Sequence, residues 1–308
     1  MDGILETIIS KMRAVPLKGK GFVLDFVTPH VGMRTAPVAG QYAMTLDLAN
    51  AIHRQIFMGC FARNMTRWTK ALLPRGGTFL DVGAHVGYFS LMAAEQVGPS
   101  GQVYAVEPNP APFTVLDRHL MTNQIAHVNV YMLGLAERDG STRLHVPDVT
   151  AHRDYNATFL PRAGWKPIDV PIRRLDDCLN AWNVSRIDLM KIDVEGSEPR
   201  VLAGGAARLA DGVVRHLMIE INGPRLGEAG SSPALLVREL TSLGFAPAHL
   251  AYGRAVPASV ESLDLDPAHE SDQLFVHRAA LPHPSAAGPA ERGCRAEYRG
   301  AALGAPLE

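Results

Sequence analysis

Apolar positions along this chain follow two periods that take turns. Thr78-Phe79-Leu80-Asp81-Val82, Gln102-Val103-Tyr104-Ala105-Val106 and residues 128–133 are short apolar-rich runs that read as buried strands. Helical spacing follows the first two, predicting helices over 87–96 and 110–122, and a turn at Glu137-Arg138-Asp139-Gly140 follows the third. The alternation resumes with a helix over Leu175–Asn183, a strand over Ile187–Ile192, a helix over Pro199–Leu209 and a strand over Val214–Ile221. After a loop from Gly223 to Ser232 come a helix over 233–243 and closing strands over Ala246–Ala251 and Gln273–His277. This βαβ rhythm predicts an α/β, Rossmann-like fold. Its sheet should be mainly parallel, covered by helices, with ligands outside the carboxyl ends of the strands.

Three stretches depart from the rhythm. Residues 1–73 form an expected helical and β appendage, with an amphipathic helix over 2–14 that carries Ile4, Leu5, Ile8, Ile9 and Met12 on one face. That face suits core packing, cleft covering or pairing of two copies into a homodimer. Strands are expected over Gly21–Val27 and Gln41–Leu46, with a loop between them punctuated by Pro29, Gly32, Pro37 and Gly40. Helices over Leu48–Met58 and Ala62–Leu73 then lead to the breaker Pro74-Arg75-Gly76-Gly77, where the main domain, 74–279, begins. Residues 141–175 insert a pair of strands, 141–146 and 168–173, around an irregular stretch holding His152, Tyr155, Asn156 and Trp165. An aromatic and polar insertion at the active edge suits substrate contact; a plain hairpin extending the sheet is the competing reading. Beyond Ala279 the chain is rich in Pro, Ala and Gly, the composition of a disordered tail.

The chemistry centres on the first strand's end. Asp81 closes that strand, and Gly83-Ala84-His85-Val86-Gly87 turns into the helix beginning near Tyr88. A dinucleotide fingerprint needs Gly-x-Gly-x-x-Gly, and this spacing fails it. Asp81 suits an ammonium better than a diphosphate, while Glu107, one strand later and followed by Pro108, suits a ribose diol. A nucleoside carrying an amino acid and no phosphate satisfies both acids, which describes S-adenosylmethionine. Apolar Leu133 and Leu135 flank Gly134, making Gly134 and Leu135 the expected adenine position.

The run from Asp81 to Ser90, the pair Glu107-Pro108 and the later Leu189-Met190-Lys191-Ile192-Asp193-Val194-Glu195-Gly196-Ser197-Glu198 resemble the FkbM family of S-adenosylmethionine-dependent methyltransferases. The likeness covers roughly residues 40 to 280, by the order of strands and motifs. It implies a class I methyltransferase sheet, S-adenosylmethionine as cofactor, and a hydroxyl of a sugar-type or polyketide-type natural product as methyl acceptor. Two positions depart from the family pattern. His85 stands where the family has Asn, and Gly59-Cys60-Phe61-Ala62-Arg63 replaces an upstream Tyr-Glu pair.

Methyl transfer from a sulfonium is an in-line displacement in which alignment matters first and proton removal second. Asp193, at a strand end beside the cofactor loop, is the first candidate to orient the acceptor or take its proton; Glu220 and His85 are further candidates. Glu195 and Asn222 join the insertion residues as expected acceptor contacts, whereas Glu198 reads as a helix-start acid. Glu220 and Asn222 alternate on one strand face and, with Asp193, offer an oxygen set suited to Mg²⁺. Hydrogen bonding to the acceptor is the preferred use of those oxygens, so no metal is assigned. Amide or amine N-methylation of a peptide natural product and a non-catalytic cofactor-binding role are the alternatives; the glycine spacing disfavours a nicotinamide dehydrogenase.

Composition narrows the partners. The net charge is −1 and no long basic block occurs, which speaks against nucleic acid and anionic lipid as partners. Cys60, Cys178 and Cys294 lack metal-ligand spacing and imply a reducing, cytoplasmic setting. No apolar run reaches the ~20 residues of a membrane span, and Asp2 and Glu6 stand where a secretory leader is basic and apolar. Arginine and alanine richness fits a GC-rich bacterial genome.

Overall fold

A computed structural model describes residues 32–147 and 157–281. The expected helix over 2–14, the strand over 21–27, His152, Tyr155, Asn156 and the tail beyond 281 lie outside the described residues.

The chain enters through an antiparallel hairpin, β1 (Met33–Ala39) and β2 (Tyr42–Asp47), then two helices, α1 (Ala51–Phe57) and α2 (Arg63–Leu72). The main alternation follows as β3 (Thr78–Val82), α3 (Tyr88–Val97), β4 (Gln102–Val106), α4 (Pro110–Thr122) and β5 (Val128–Tyr131). A second small sheet comes next, from β6 (Gly134–Leu135), β7 (Gly140–Val146) and β8 (Lys166–Arg173). Then come α5 (Leu175–Ala181), β9 (Ile187–Ile192), α6 (Glu198–Gly204), α7 (Ala206–Ala210), β10 (Val214–Asn222), α8 (Gly223–Glu228) and α9 (Pro233–Ser242). The strands β11 (Phe245–Ala251), β12 (Arg254–Pro257) and β13 (Glu270–His277) close the fold.

Among the described residues the main sheet has eight strands in the order β12-β11-β13-β10-β9-β3-β4-β5. The run β10, β9, β3, β4, β5 is parallel, and β13, β11 and β12 add to it antiparallel, so the α/β architecture stands as expected. Alternation along β3 divides the core. Phe79 enters the cluster shared with the hairpin and α3, while Leu80 and Val82 enter the cluster under α5, α6 and α9. Asp81 therefore faces the same side as Phe79, beneath α3.

Several boundaries differ from the sequence reading, each for a local reason. The expected loop around Pro37 is strand β1: it alternates exposed and buried residues, and the hairpin turns at Gly40, whose φ is +49°. The strand expected to reach residue 133 stops at Tyr131, because Gly134 and Leu135 pair with Ile172 and Arg173 of β8 instead. The helix expected over 199–209 splits at Gly204-Gly205, where a Cβ on Gly204 would overlap the Ala136 carbonyl. The expected loop after residue 222 holds α8, whose cap is the Asn222 side chain accepting from the Arg225 N–H at 3.2 Å. Strand β12 was not foreseen; it turns back from β11 through Tyr252 and Gly253, both at positive φ.

The hairpin is fastened by side chains rather than by sheet extension. Asn123, at the end of α4, donates to the Ala43 carbonyl at 2.8 Å and accepts from its N–H at 2.9 Å. His119, buried one turn earlier, bridges the Val86 carbonyl at 3.0 Å and Thr45 at 3.2 Å. The hairpin thus rests on the glycine loop's own helix pair. Asn123→Ala leaves both Ala43 groups without this partner and should cost about 1–2 kcal/mol. A lowered urea midpoint with an unchanged slope is the expected result; an unchanged midpoint would mean the amide contributes nothing.

Candidate active site

Strand register creates the central contact. Asp81 of β3 lies directly beside Lys191 of β9, so both side chains emerge on one face. Lys191 Nζ sits 3.5 Å from Asp81 Oδ1 and 3.2 Å from Asp193 Oδ2, and it donates to the Gly83 carbonyl at 2.9 Å. The Phe89 ring lies 5.5 Å below it. Ser90 Oγ donates to Asp81 Oδ2 at 2.7 Å. Burial works to depress the Lys191 ammonium, yet Asp193 and Asp81 outweigh it and hold the pKa well above the ordinary value. Burial pushes the Asp81 carboxyl up, opposed by Lys191 and Ser90.

This corrects the expected role of Asp81. Its side chain is 0% exposed, and the ammonium it meets belongs to Lys191 rather than to a ligand. Lys191 received no role from the sequence, although a lysine inside the wholly buried strand Ile187–Ile192 is itself a signal, since such a charge requires a partner.

The glycine loop is shaped by its neighbours. Gly83 has φ +79°, and a Cβ there would overlap the Asp193 carbonyl; Gly87 has φ +91°, and a Cβ there would overlap Leu116 of α4. The Gly83 and Ala84 N–H groups both donate to the Val106 carbonyl at 3.0 Å, and the Gly87 N–H donates to the Ala84 carbonyl at 2.9 Å. These amides are spent inside the protein, so no phosphate cradle forms. His85 adopts φ +52°, a left-handed conformation that Asn and His tolerate better than most residues, which accounts for an imidazole at an Asn-like position.

Glu107 stands at the carboxyl end of β4. Its Oε2 accepts from the His85 N–H and its Oε1 from the Asn109 N–H, both at 2.8 Å. Each oxygen keeps a lone pair. Burial raises its pKa to about 7 despite those two bonds. His85 itself is lowered to about 3 by burial, His53 and Lys191, so its imidazole is a poor store for a proton taken from an acceptor. Pro108 is half-buried beside Glu107.

Tyr88 packs edge-on against Phe61 and Phe89, and its hydroxyl lies 3.2 Å from Thr66 Oγ1, so it joins α3 to α2. Gly134 lies under Phe159, and Leu135 is buried in the core, which removes both from the expected adenine surface.

On the acceptor side, Asp193 is 29% exposed at the end of β9. Glu220 lies opposite Asp272 and Asn222 opposite Glu270 on β13, so carboxylates gather at one mouth. Glu220 is driven well above the carboxylate range by burial and then by Asp193, Glu270, Glu195 and Glu198. Asp272 rises to about 6 through burial, Asp193 and Glu270, against Lys191. A protonated Glu220 donates a hydrogen bond and cannot take a proton. Asn222 spends its amide on the α8 cap and on Glu270 at 3.2 Å, a structural use. Among the described residues no group of three or more His, Cys, Asp or Glu side chains is arranged to hold a metal ion.

Glu195 adopts φ +54° and accepts from Arg225 Nε at 3.3 Å. Glu198, wholly buried, accepts from the Val194 and Gly196 N–H groups at 3.2 Å, which fits the helix-start reading. Trp165 is half-buried under the Arg162 guanidinium, 5.5 Å from its ring. A cleft of about 520 Å³ opens at the amino ends of β3, β4 and β9, between Thr78, Gln102, Tyr104 and Asp188. It faces away from the carboxylates and plays no part in the site.

The profile of the family described as "Methyltransferase FkbM domain" matches residues 81–247. Methyltransferase sdnD of Sordaria araneosa is 29% identical over 196 residues, covering 53% of this chain and 71% of that protein. The 31-O-demethyl-FK506 methyltransferase FkbM of Streptomyces tacrolimicus is 29% identical over 185 residues, covering 51% and 68%. Among solved structures, methyltransferase FkbM from Methylobacillus flagellatus KT aligns with a TM-score of 0.40 and 18% identity, over 65% of this chain and 43% of that one.

Two outcomes follow from the buried charges. Lys191→Met strands Asp81 in the core and should lower unfolding free energy by about 3–5 kcal/mol, with Asp81→Asn in the same chain recovering part of the loss. A denaturation midpoint within error of wild type would refute the lock. Burial chiefly raises Glu198 from 4.5 to about 7, so its contribution is fully present below 4.5 and lost as pH rises through 7. Glu198→Gln, which keeps the accepting oxygen, should therefore gain stability relative to wild type between pH 5 and about 7.5. Parallel pH profiles for the two proteins would contradict this.

Proposed function

Because the chain belongs to the methyltransferase FkbM domain family, we propose that it transfers a methyl group from S-adenosylmethionine to a hydroxyl of a small-molecule natural product, of sugar or polyketide type. The observation that carries the cofactor half is Glu107: a carboxylate held at a strand end by two amide N–H bonds, with free lone pairs and no phosphate cradle beside it. Those residues fit a nucleoside without phosphate. Glu107 would take the ribose diol, with Gly83, Ala84, His85, Gly87 and Pro108 forming the surrounding loops. The acceptor half draws on the relatives, one of which is by name a 31-O-demethyl-FK506 methyltransferase.

When bound, S-adenosylmethionine supplies an electrophilic methyl carbon on a sulfonium. The chain's part is to align the acceptor and handle its proton. Asp193, beside the Gly83 backbone and paired with Lys191 at 3.2 Å, is placed to receive a hydroxyl proton, and Lys191 steadies its orientation. Glu220, whose carboxyl is driven upward by burial and by Asp193, offers the acceptor a donor in its protonated form. Amide or amine N-methylation of a peptide product is the second reading; the carboxylate-rich mouth favours the amine, whose cationic form negative side chains attract.

Calorimetric titration with S-adenosylmethionine, S-adenosylhomocysteine and NAD tests the cofactor half, with binding expected for the first two and none for NAD. Glu107→Ala should weaken binding by about 10- to 100-fold, the loss of hydrogen bonds to a charged group. Equal affinity in that variant would move the ribose elsewhere. Carbon chemical shifts of the methylated product separate O-methyl from N-methyl, and absence of turnover across hydroxyl and amine acceptors would point to a non-catalytic binding role.

A further inference from the structure

A chain of contacts outside the reacting groups runs along the carboxyl rim of the sheet. Glu195, two residues past Asp193, accepts from Arg225 Nε at 3.3 Å, and Arg225 also pairs with Glu228 at 3.5 Å. Glu228 in turn accepts from Arg162 at 2.6 Å, and Arg162 lies over Trp165. Both ends of this path matter. Glu195 and Arg225 sit where β9 and β10 finish, whereas Arg162 and Trp165 belong to the insertion between β7 and β8.

The same insertion is held at a second point. Phe159 covers Gly134, where an added Cβ would lie 2.7 Å from its ring, and Arg200 in α6 sits 5.5 Å above that ring while pairing with Glu137 at 2.7 Å. Thr158 bridges to His145 of β7. Residues 158–165 are thus tied at one end to β6 and α6 and at the other to α8. Through Glu228 and Arg225, Arg162 is linked to Glu195 in the turn Asp193–Ser197 that borders the site.

We infer that Arg162 and Glu228 are a positioning pair, a clasp that holds residues 158–165 across the rim and slows escape of the nucleoside ligand. The inference rests on the proposed cofactor reading. The Arg162 and Glu228 side chains are 27% and 49% exposed, so the clasp is partly screened, opens readily and responds to salt. It touches no reacting group, and its effect belongs in the dissociation rate.

The test is the release rate of labelled S-adenosylhomocysteine from the full chain, chased with unlabelled ligand. Arg162→Gln and Glu228→Gln should each speed release by about threefold to fivefold, as expected for a partly exposed ion pair. The double variant should be no faster than either single one, because the two residues act through one contact. Arg162→Lys should stay near wild type, and 0.5 M salt should speed wild-type release while leaving Arg162→Gln unchanged. Melting temperatures close to wild type separate the clasp from general destabilisation; hydrogen exchange at residues 158–165, faster in Arg162→Gln, provides a second readout. Unchanged release in both single variants, or additive effects in the double variant, would overturn the clasp while leaving the cofactor assignment intact. Failure of wild type to bind S-adenosylhomocysteine would overturn the cofactor assignment and the clasp with it.

Discussion

The Lys191 ammonium is the interaction on which the site depends. An isolated charge at that depth is costly, and two carboxylates, a carbonyl and an aromatic face offset the cost only because β3 and β9 pair in one register. Slipping either strand by one residue would turn Asp81 or Lys191 to the opposite face. The ion pair therefore specifies register as well as filling space. Through Gly83 and Asp193 it also joins the cofactor loop to the acceptor side, so the two halves of the site share one anchor.

Backbone conformation completes that anchor. Gly83 approaches Asp193 too closely for any side chain, and His85 takes the left-handed conformation that points its N–H at Glu107. A loop built this way has committed the Gly83, Ala84, His85 and Gly87 amides before any ligand arrives. Its ligand must be recognised by side-chain acceptors, which is why the glycine spacing that fails a dinucleotide loop and the carboxylate at the next strand end belong to the same design.

Strands β3, β4 and β9 lie where the pattern placed them, because each is a short apolar-rich run whose residues are mostly buried. Elements whose form comes from contact were not. Gly204 breaks a helix because Ala136 presses against it, and Gly134 leaves β5 for β8, neither of which leaves a periodic trace. In the candidate site, Glu107 and Asp193 directly follow β4 and β9, at the strand ends where the sequence reading put them. Asp81 was given a ligand's ammonium because a sequence cannot show that a lysine 110 residues later occupies the neighbouring strand position. The clasp between Arg162 and Glu228 was invisible for the same reason.

The acidic mouth sets a final constraint. Glu220 and Asp272 face each other across β10 and β13, an arrangement that is unfavourable when both are charged. Burial raises both carboxyls first, and Asp193 and Glu270 add to each shift. A fold selected for stability alone would separate these groups. Their placement at the edge of the proposed site suits positive charge entering there, and a sulfonium brings such a charge before methyl transfer and loses it afterwards. On that reading the mouth attracts the donor more strongly than the spent product, and release of product is favoured by the same carboxylates that drew the donor in.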